Sequence, residues 1–235
     1  MPVQPGDPEA VEQLFNDVAP RYDRLNDLLS LGLHRQWKRQ LLAWLQPAAG
    51  ERWLDLCCGT GDLALALARA VRPGGEVVGL DAAAAPLALA QERAAREPWL
   101  QLSWLHGDAL KTDLPSASFD GVVMAYGLRN LADAEAGLAE MRRLLKPGGR
   151  AGVLDFNRLP PTTWSAAFQR LYLHRVVVPA ASMAGLESQY AYLEDSLARF
   201  ATGVEQEAMA TAVGFRTARH RSLMAGQMGM LLLEV

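Results

Sequence analysis

The stretch Arg52-Trp53-Leu54-Asp55-Leu56-Cys57-Cys58-Gly59-Thr60-Gly61-Asp62 constrains the fold more than any other part of the chain. Its first half alternates apolar and polar residues, as a short buried strand does. Its second half is a glycine turn, and Leu63–Ala70 then has the Ala- and Leu-rich composition of a helix. Strand, glycine turn and helix in succession open a doubly wound nucleotide-binding domain. Gly59 and Gly61 can take backbone angles that a Cβ forbids, and they let a ligand come close to the main chain. Glycine patterns this short also occur in ordinary tight turns, so the rest of the chain has to decide.

Downstream the pattern alternates. Strands are expected at Trp53–Cys57, Glu76–Leu80, Leu100–Leu105, Phe119–Ala125 and Arg150–Asp155, and helices at Thr60–Val71, Pro86–Arg96 and Ala132–Leu145. That rhythm predicts an α/β fold whose mostly parallel sheet is covered on both faces. Upstream lie two helices. Pro8–Val18 is capped by Asp7 and carries the stripe Val11, Leu14, Phe15 and Val18. His34–Leu45 buries Trp37, Leu41, Leu42, Trp44 and Leu45 and wets Arg35, Lys38 and Arg39. This region is placed to cover the carboxyl ends of the strands. Asn157–Gly185 breaks the alternation with an apolar stripe through Trp164, Phe168, Leu171 and Tyr172. Helices Glu187–Arg199 and Val204–Val213 follow, then an antiparallel hairpin of Arg216–Leu223 and Met228–Val235. The 235 residues, half of them hydrophobic, suit a single domain: a helical cap at 1–48, a core at 49–157, a helical insertion at 158–213 and the hairpin at 214–235.

A net charge of −3 without a basic block argues against a nucleic-acid partner. The only cysteines, Cys57 and Cys58, are adjacent, so on a strand they face opposite ways and lack zinc-site spacing. They are expected as small buried hydrophobes, and no metal site is expected. No signal peptide and no membrane-spanning apolar run is visible, so a soluble, cytoplasmic protein is expected. Three acids fall at strand ends. Asp81 can accept both hydroxyls of a ribose, and Asp108 an adenine amino group. Dinucleotide dehydrogenases share part of this arrangement. Asp62, however, stands where a pyrophosphate would sit and would repel it, and Asp55 favours a cationic ligand. S-adenosylmethionine has the adenosine, an ammonium, a sulfonium and no phosphate.

The chain resembles class I methyltransferases, and among them the ubiquinone/menaquinone biosynthesis C-methyltransferases. The resemblance lies in Phe15 to Asn26, Ser30 to Trp37, Leu54-Asp55 through Asp62, Tyr126-Gly127-Leu128-Arg129-Asn130, Leu145 to Arg150 and Leu154-Asp155-Phe156. Cys57-Cys58-Gly59-Thr60-Gly61, Asp81 to Pro86 and Gly226 to Gly229 are most like its cyanobacterial and plastid branch, whose acceptor is a phytylated naphthoquinol. The resemblance implies a Rossmann-like fold, S-adenosylmethionine as co-substrate, and contacts to it from Asp55, Thr60, Asp81, Ala82, Asp108 and Ala109, with Gly59 and Gly61 shaping the turn. Ala125 stands where one bacterial pattern has Ser, so a contact there would be through the backbone.

Arg129 is the candidate to stabilise an ionised quinol or to orient a water, and Asn130 and Tyr22 are candidate partners for the quinol oxygens. His34 is expected at a helix cap or surface and His106 at a surface strand end; His174 and His220 carry no pattern. An isoprenoid or phytyl tail would need a groove near Trp164–Val178 and peripheral contact with the membrane that holds it. A homodimer stays open. The alternatives are a menaquinol or benzoquinol acceptor, a non-catalytic quinol-binding partner, and a dehydrogenase.

Overall fold

The computed structural model describes residues 7–19, 30, 32–159, 175 and 187–235. Within them seven strands form one sheet: β1 (Arg52–Leu56), β2 (Glu76–Asp81), β3 (Leu102–His106), β4 (Phe119–Ala125), β5 (Leu145–Phe156), β6 (Thr217–Leu223) and β7 (Met228–Glu234). The order across the sheet is β3-β2-β1-β4-β5-β7-β6. β1 to β5 are parallel, and β7 runs antiparallel between β5 and β6. The chain winds outward from β1 to β3, then returns and continues from β4 on the other side. That reversal opens a crevice at the carboxyl ends of β1 and β4, the place where open α/β sheets bind ligands.

The helices are α1 (Pro8–Val18), α2 (His34–Leu45), α3 (Asp62–Ala70), α4 (Ala84–Ala94), α5 (Ala134–Leu144), α6 (Glu187–Arg199) and α7 (Gly203–Ala212). Side chains alternate across β1. Leu54 and Leu56 join Val122, Met124, Leu138 and Met141 on the α5 face, while Trp53 joins Val77, Val123, Leu154, Leu63 and Leu67 on the α3 face. Burial on both faces is what parallel strands require.

The cap helix α2 is tied to the second of these cores. Trp37, Leu41 and Leu45, four residues apart, are all buried. Leu41 and Leu45 reach so near β5 that a Cβ on Gly152 would come within 2.8 Å of each. Arg150 donates to the carbonyl of Gln46 at 2.7 Å and pairs with Glu51 at 2.8 Å. Leu42 and Trp44 are only half-buried, and so is Lys38, which the amphipathic pattern places in water. His34 is 2 % exposed, its Nδ1 2.9 Å from the Ser30 hydroxyl, so it is neither a cap nor a surface residue.

Other boundaries shift for local reasons. α4 begins at Ala84 because Pro86 fits the first turn, where its missing N–H is not needed. A 3₁₀ turn at Leu128–Asn130 delays α5 to Ala134, capped by Asp133, which accepts from the Ala136 N–H at 3.0 Å. β5 already begins at Leu145, paired with Phe119; after the Pro147-Gly148-Gly149 turn, Arg150 pairs with Gly121. The hairpin β6–β7 forms as expected, with Gly226 at φ +92° in its connection. Tyr22, His174 and the groove at Trp164–Val178 apart from Arg175 lie outside the described residues.

Gly121 tests the central packing. A Cβ there would stand 2.3 Å from the ring of Trp53, which is fully buried. Gly121→Ala is expected to cost about 1–3 kcal/mol by overpacking, seen as a lowered urea midpoint. An unchanged midpoint would mean that the Trp53 ring has room to move.

Candidate active site

β1 delivers the chain into three left-handed residues: Cys57 at φ 56° despite its side chain, Gly59 at 54° and Gly61 at 81°. Asp81, at the end of β2, pins this turn. Its Oδ2 accepts the Gly59 N–H at 2.7 Å and its Oδ1 the Ala83 N–H at 2.9 Å. Burial pushes this carboxyl above the usual range, and the two N–H donors pull it back. Each oxygen keeps a lone pair for a ribose diol. Beside the turn lies an open cleft, lined by Cys57, Gly59, Asp81 and Ala82 on one side and by Ala125, Tyr126, Gly127 and Asn130 on the other. Asp108 and Ala109 close one end. Asp108 Oδ1 accepts the Leu110 N–H at 2.8 Å, and its second oxygen can accept an amino group. Val11 and Phe15 of α1 form the roof. That roof is held by Asn16 Oδ1, which accepts the Ala85 N–H at 2.9 Å. An apolar cleft with acids at the ribose and amine positions fits an adenosine.

Of the residues singled out from sequence, Gly59, Asp81, Ala82, Asp108, Ala109, Ala125 and Asn130 line this cleft; Asp55, Thr60, Gly61 and Arg129 do not. Gly61 answers to packing: a Cβ there would meet Trp104 at 2.6 Å and Ala90 at 2.9 Å. Thr60 is buried. Asp55 shares the α3-facing side of β1 with Trp53, is 1 % exposed, and one of its carboxyl oxygens has no hydrogen-bond partner. Burial pushes its carboxyl up to about 8, against the pull of Lys38. Asp62 is held by Lys38 at 3.4 Å and by Arg93 at 3.0 Å. The acids at the turn are therefore largely neutralised, which corrects the expectation that their bare negative charge selects a cationic ligand.

A pH effect follows. Between about pH 4 and 8 the folded chain holds a proton on Asp55 that the unfolded chain has lost, so stability falls as pH rises, by up to about 1.4 kcal/mol per unit. Below that window the contribution is complete; above it the contribution is gone. Asp55→Asn should lack this slope in denaturant titrations across the range. Parallel slopes for both proteins would show that Asp55 is ionised in the fold.

The 3₁₀ turn after β4 carries a second cluster. Arg129 is clamped twice by Asp155 at the end of β5: its Nη1 donates to Oδ1 at 2.6 Å and its backbone N–H to Oδ2 at 3.1 Å. The side chains are 9 % and 2 % exposed. The guanidinium also donates to the Tyr126 carbonyl at 3.0 Å and stacks over Phe156 at 5.3 Å. Asn130 Nδ2 donates to the same carbonyl at 2.7 Å, and its Oδ1 accepts from the Tyr192 hydroxyl of α6 at 2.9 Å. A carbonyl can only accept, so the amide cannot be flipped, and Asn130 offers its remaining N–H rather than its oxygen. Burial raises the Tyr192 phenol to about 12, which keeps it a donor. Lys38, Tyr126, Asp155 and Tyr192 were missed as site residues. Of these Tyr126 and Asp155 fell in quoted motifs without being given a role, and a tyrosine in an ordinary helix such as Tyr192 gives no signal of a distant partner.

Residues 4–231 match the family described as the ubiE/COQ5 methyltransferase family. A relative from Synechococcus elongatus, named 2-phytyl-1,4-naphtoquinone methyltransferase, is 46% identical over 97% of this chain and 97% of its own. A chloroplastic relative from Arabidopsis thaliana, named 2-phytyl-1,4-beta-naphthoquinone methyltransferase, is 42% identical over 93% and 85%. Among solved structures, an S-adenosylmethionine-dependent methyltransferase from Aquifex aeolicus superposes with a TM-score of 0.62 at 16% identity, covering 84% of this chain and 89% of that one. Phosphoethanolamine N-methyltransferase 2 of Haemonchus contortus, solved with S-adenosylmethionine, gives 0.61 at 22%, covering 80% and 38%. The sheet with its one antiparallel hairpin is thus the class I methyltransferase fold.

Proposed function

The chain belongs to the ubiE/COQ5 methyltransferase family, and we propose that it methylates a ring carbon of 2-phytyl-1,4-naphthoquinol with S-adenosylmethionine as donor. The observation that carries this reading is the near full-length match to relatives named for that quinone, from cyanobacteria and a plant. The adenosine-shaped cleft at the switch point supports the donor.

Methylation of carbon is an in-line displacement. The ring's electron pair makes the new C–C bond, the C–S bond breaks, and its pair stays on sulfur as a neutral thioether. The ring carbon then loses its proton to a water, which Arg129 would orient. The protein's share is mostly positioning and exclusion of water. A phenol with a pKa near ~10 costs roughly 4 kcal/mol to ionise at pH 7, and donors aimed at the forming oxyanion offset part of this. We assign that role to the Asn130 amide N–H and to Arg129 beside it, with Tyr22 as a third partner. Arg129 stays protonated and cannot itself be the base. On the donor side, Asp81 would hold the ribose, Asp108 and Ala109 the adenine, and Asp55 and Thr60 the far side of the glycine turn.

The phytyl tail gives about 0.8 kcal/mol for each CH₂ buried, and we place its groove at Trp164–Val178. Among the described residues no helix is long and apolar enough to cross a membrane, so contact with the bilayer that holds the quinol would be peripheral. The test is incubation with a labelled methyl donor and chemically reduced 2-phytyl-1,4-naphthoquinone. Label in the methylated quinol is expected. Label only in a benzoquinol acceptor would move the assignment within the family.

A further inference from the structure

Lys38 is the surprise of the cap. Amphipathic spacing puts it in water, yet its side chain is 14 % exposed, and lysines are seldom so covered without a full partner. Among the described residues the only carboxylate within ion-pair distance is Asp62 Oδ2, at a long 3.4 Å, and Asp62 already takes the guanidinium of Arg93 at 3.0 Å. Arg93 is itself anchored on the Thr60 carbonyl at 3.3 Å. Two cations thus share one surface carboxylate at the lip of the glycine turn. The Lys38 ammonium also stands 6.0 Å from the ring centre of Tyr126, which lines the cleft. An ammonium that shares its one close carboxylate among the described residues with Arg93, and that stands beside a residue lining the adenosine cleft, is complementary to the carboxylate of an α-amino acid.

We propose that Lys38 is the counter-ion for the α-carboxylate of S-adenosylmethionine, so that the cap helix α2, and not the glycine turn alone, recognises the amino-acid end of the methyl donor. This rests on the reading of the cleft as the donor's site. Lysine suits the task because its ammonium is a compact charge on a flexible stem, able to leave Asp62 for a better-placed carboxylate.

The test uses binding rather than turnover. Titration calorimetry would compare S-adenosylhomocysteine with its decarboxylated counterpart, 5′-(3-aminopropylthio)-5′-deoxyadenosine. The unmodified protein should prefer the carboxylate-bearing ligand by about tenfold or more. Lys38→Met should abolish the preference by weakening only that ligand, and Lys38→Arg should retain most of it. Equal weakening of both ligands in Lys38→Met, or no weakening of either, would overturn the proposal and leave Lys38 as a packing residue. If the unmodified protein bound neither ligand, the donor-site reading itself would fall.

Discussion

Arg129→Ala is expected to lower turnover by about 10²-fold or more while changing the affinity for S-adenosylmethionine little. The side chain does not line the cleft, so no donor contact is lost with it. What is lost is a cation held by two hydrogen bonds, one to Asp155 and one to the Tyr126 carbonyl, beside the Asn130 amide. A fixed donor or charge at a developing oxyanion is worth that much because it needs no reorganisation during the reaction. Arg129→Lys keeps the charge without the planar, rigid guanidinium and should recover only part of the rate. The measurement is single-turnover methylation alongside donor affinity by calorimetry. Normal turnover in Arg129→Ala would remove the residue from the mechanism. A matching loss of donor affinity would make it part of the cleft wall.

Asp155→Ala should have the largest effect on stability, about 3–5 kcal/mol, because it strands a buried guanidinium. It also takes the acceptor from the backbone N–H of Phe156, bonded at 2.8 Å, and of Arg129. The paired replacement Arg129→Met with Asp155→Leu removes both charges and should be much less destabilised than Asp155→Ala alone, since a buried ion pair is not in itself strongly stabilising. Denaturant unfolding of the three proteins checks this. A loss below about 1 kcal/mol for Asp155→Ala would mean that water reaches Arg129 and screens it.

Much of the fold could be read from the chain because its elements are locally consistent. The strand β4 and the helices α1, α2 and α6 fall where periodicity puts them. The ends that moved did so where a local rule competed, as with Pro86 inside the first turn of α4. The site was legible where function resides in backbone and strand ends: Gly59, Asp81 and Asp108 converge on the cleft as the strand–turn–helix grammar requires. It was illegible where function depends on partners distant in sequence. Lys38 is a solvent residue by helical spacing, and only the docking of α2 against β5 brings it over Tyr126. Tyr192 meets Asn130 across 62 positions. The charge argument failed for the same reason: nothing in Asp62 itself announces Arg93, or in Asp55 the depth of its burial.

The end of β5 and the start of β7 are laced together side by side. The Asn157 N–H donates to the Gln227 carbonyl at 3.0 Å, and the Asn157 side chain donates to the Gly226 carbonyl at 3.0 Å. Between these two positions the chain carries α6, α7 and the edge strand β6, with Phe200, Ala210 and Phe215 in the core, while among the described residues those lining the donor cleft all come ahead of them. A chimera spliced here would therefore exchange an edge strand and part of the core together with the acceptor side, and would leave the lining of the methyl-donor cleft in place.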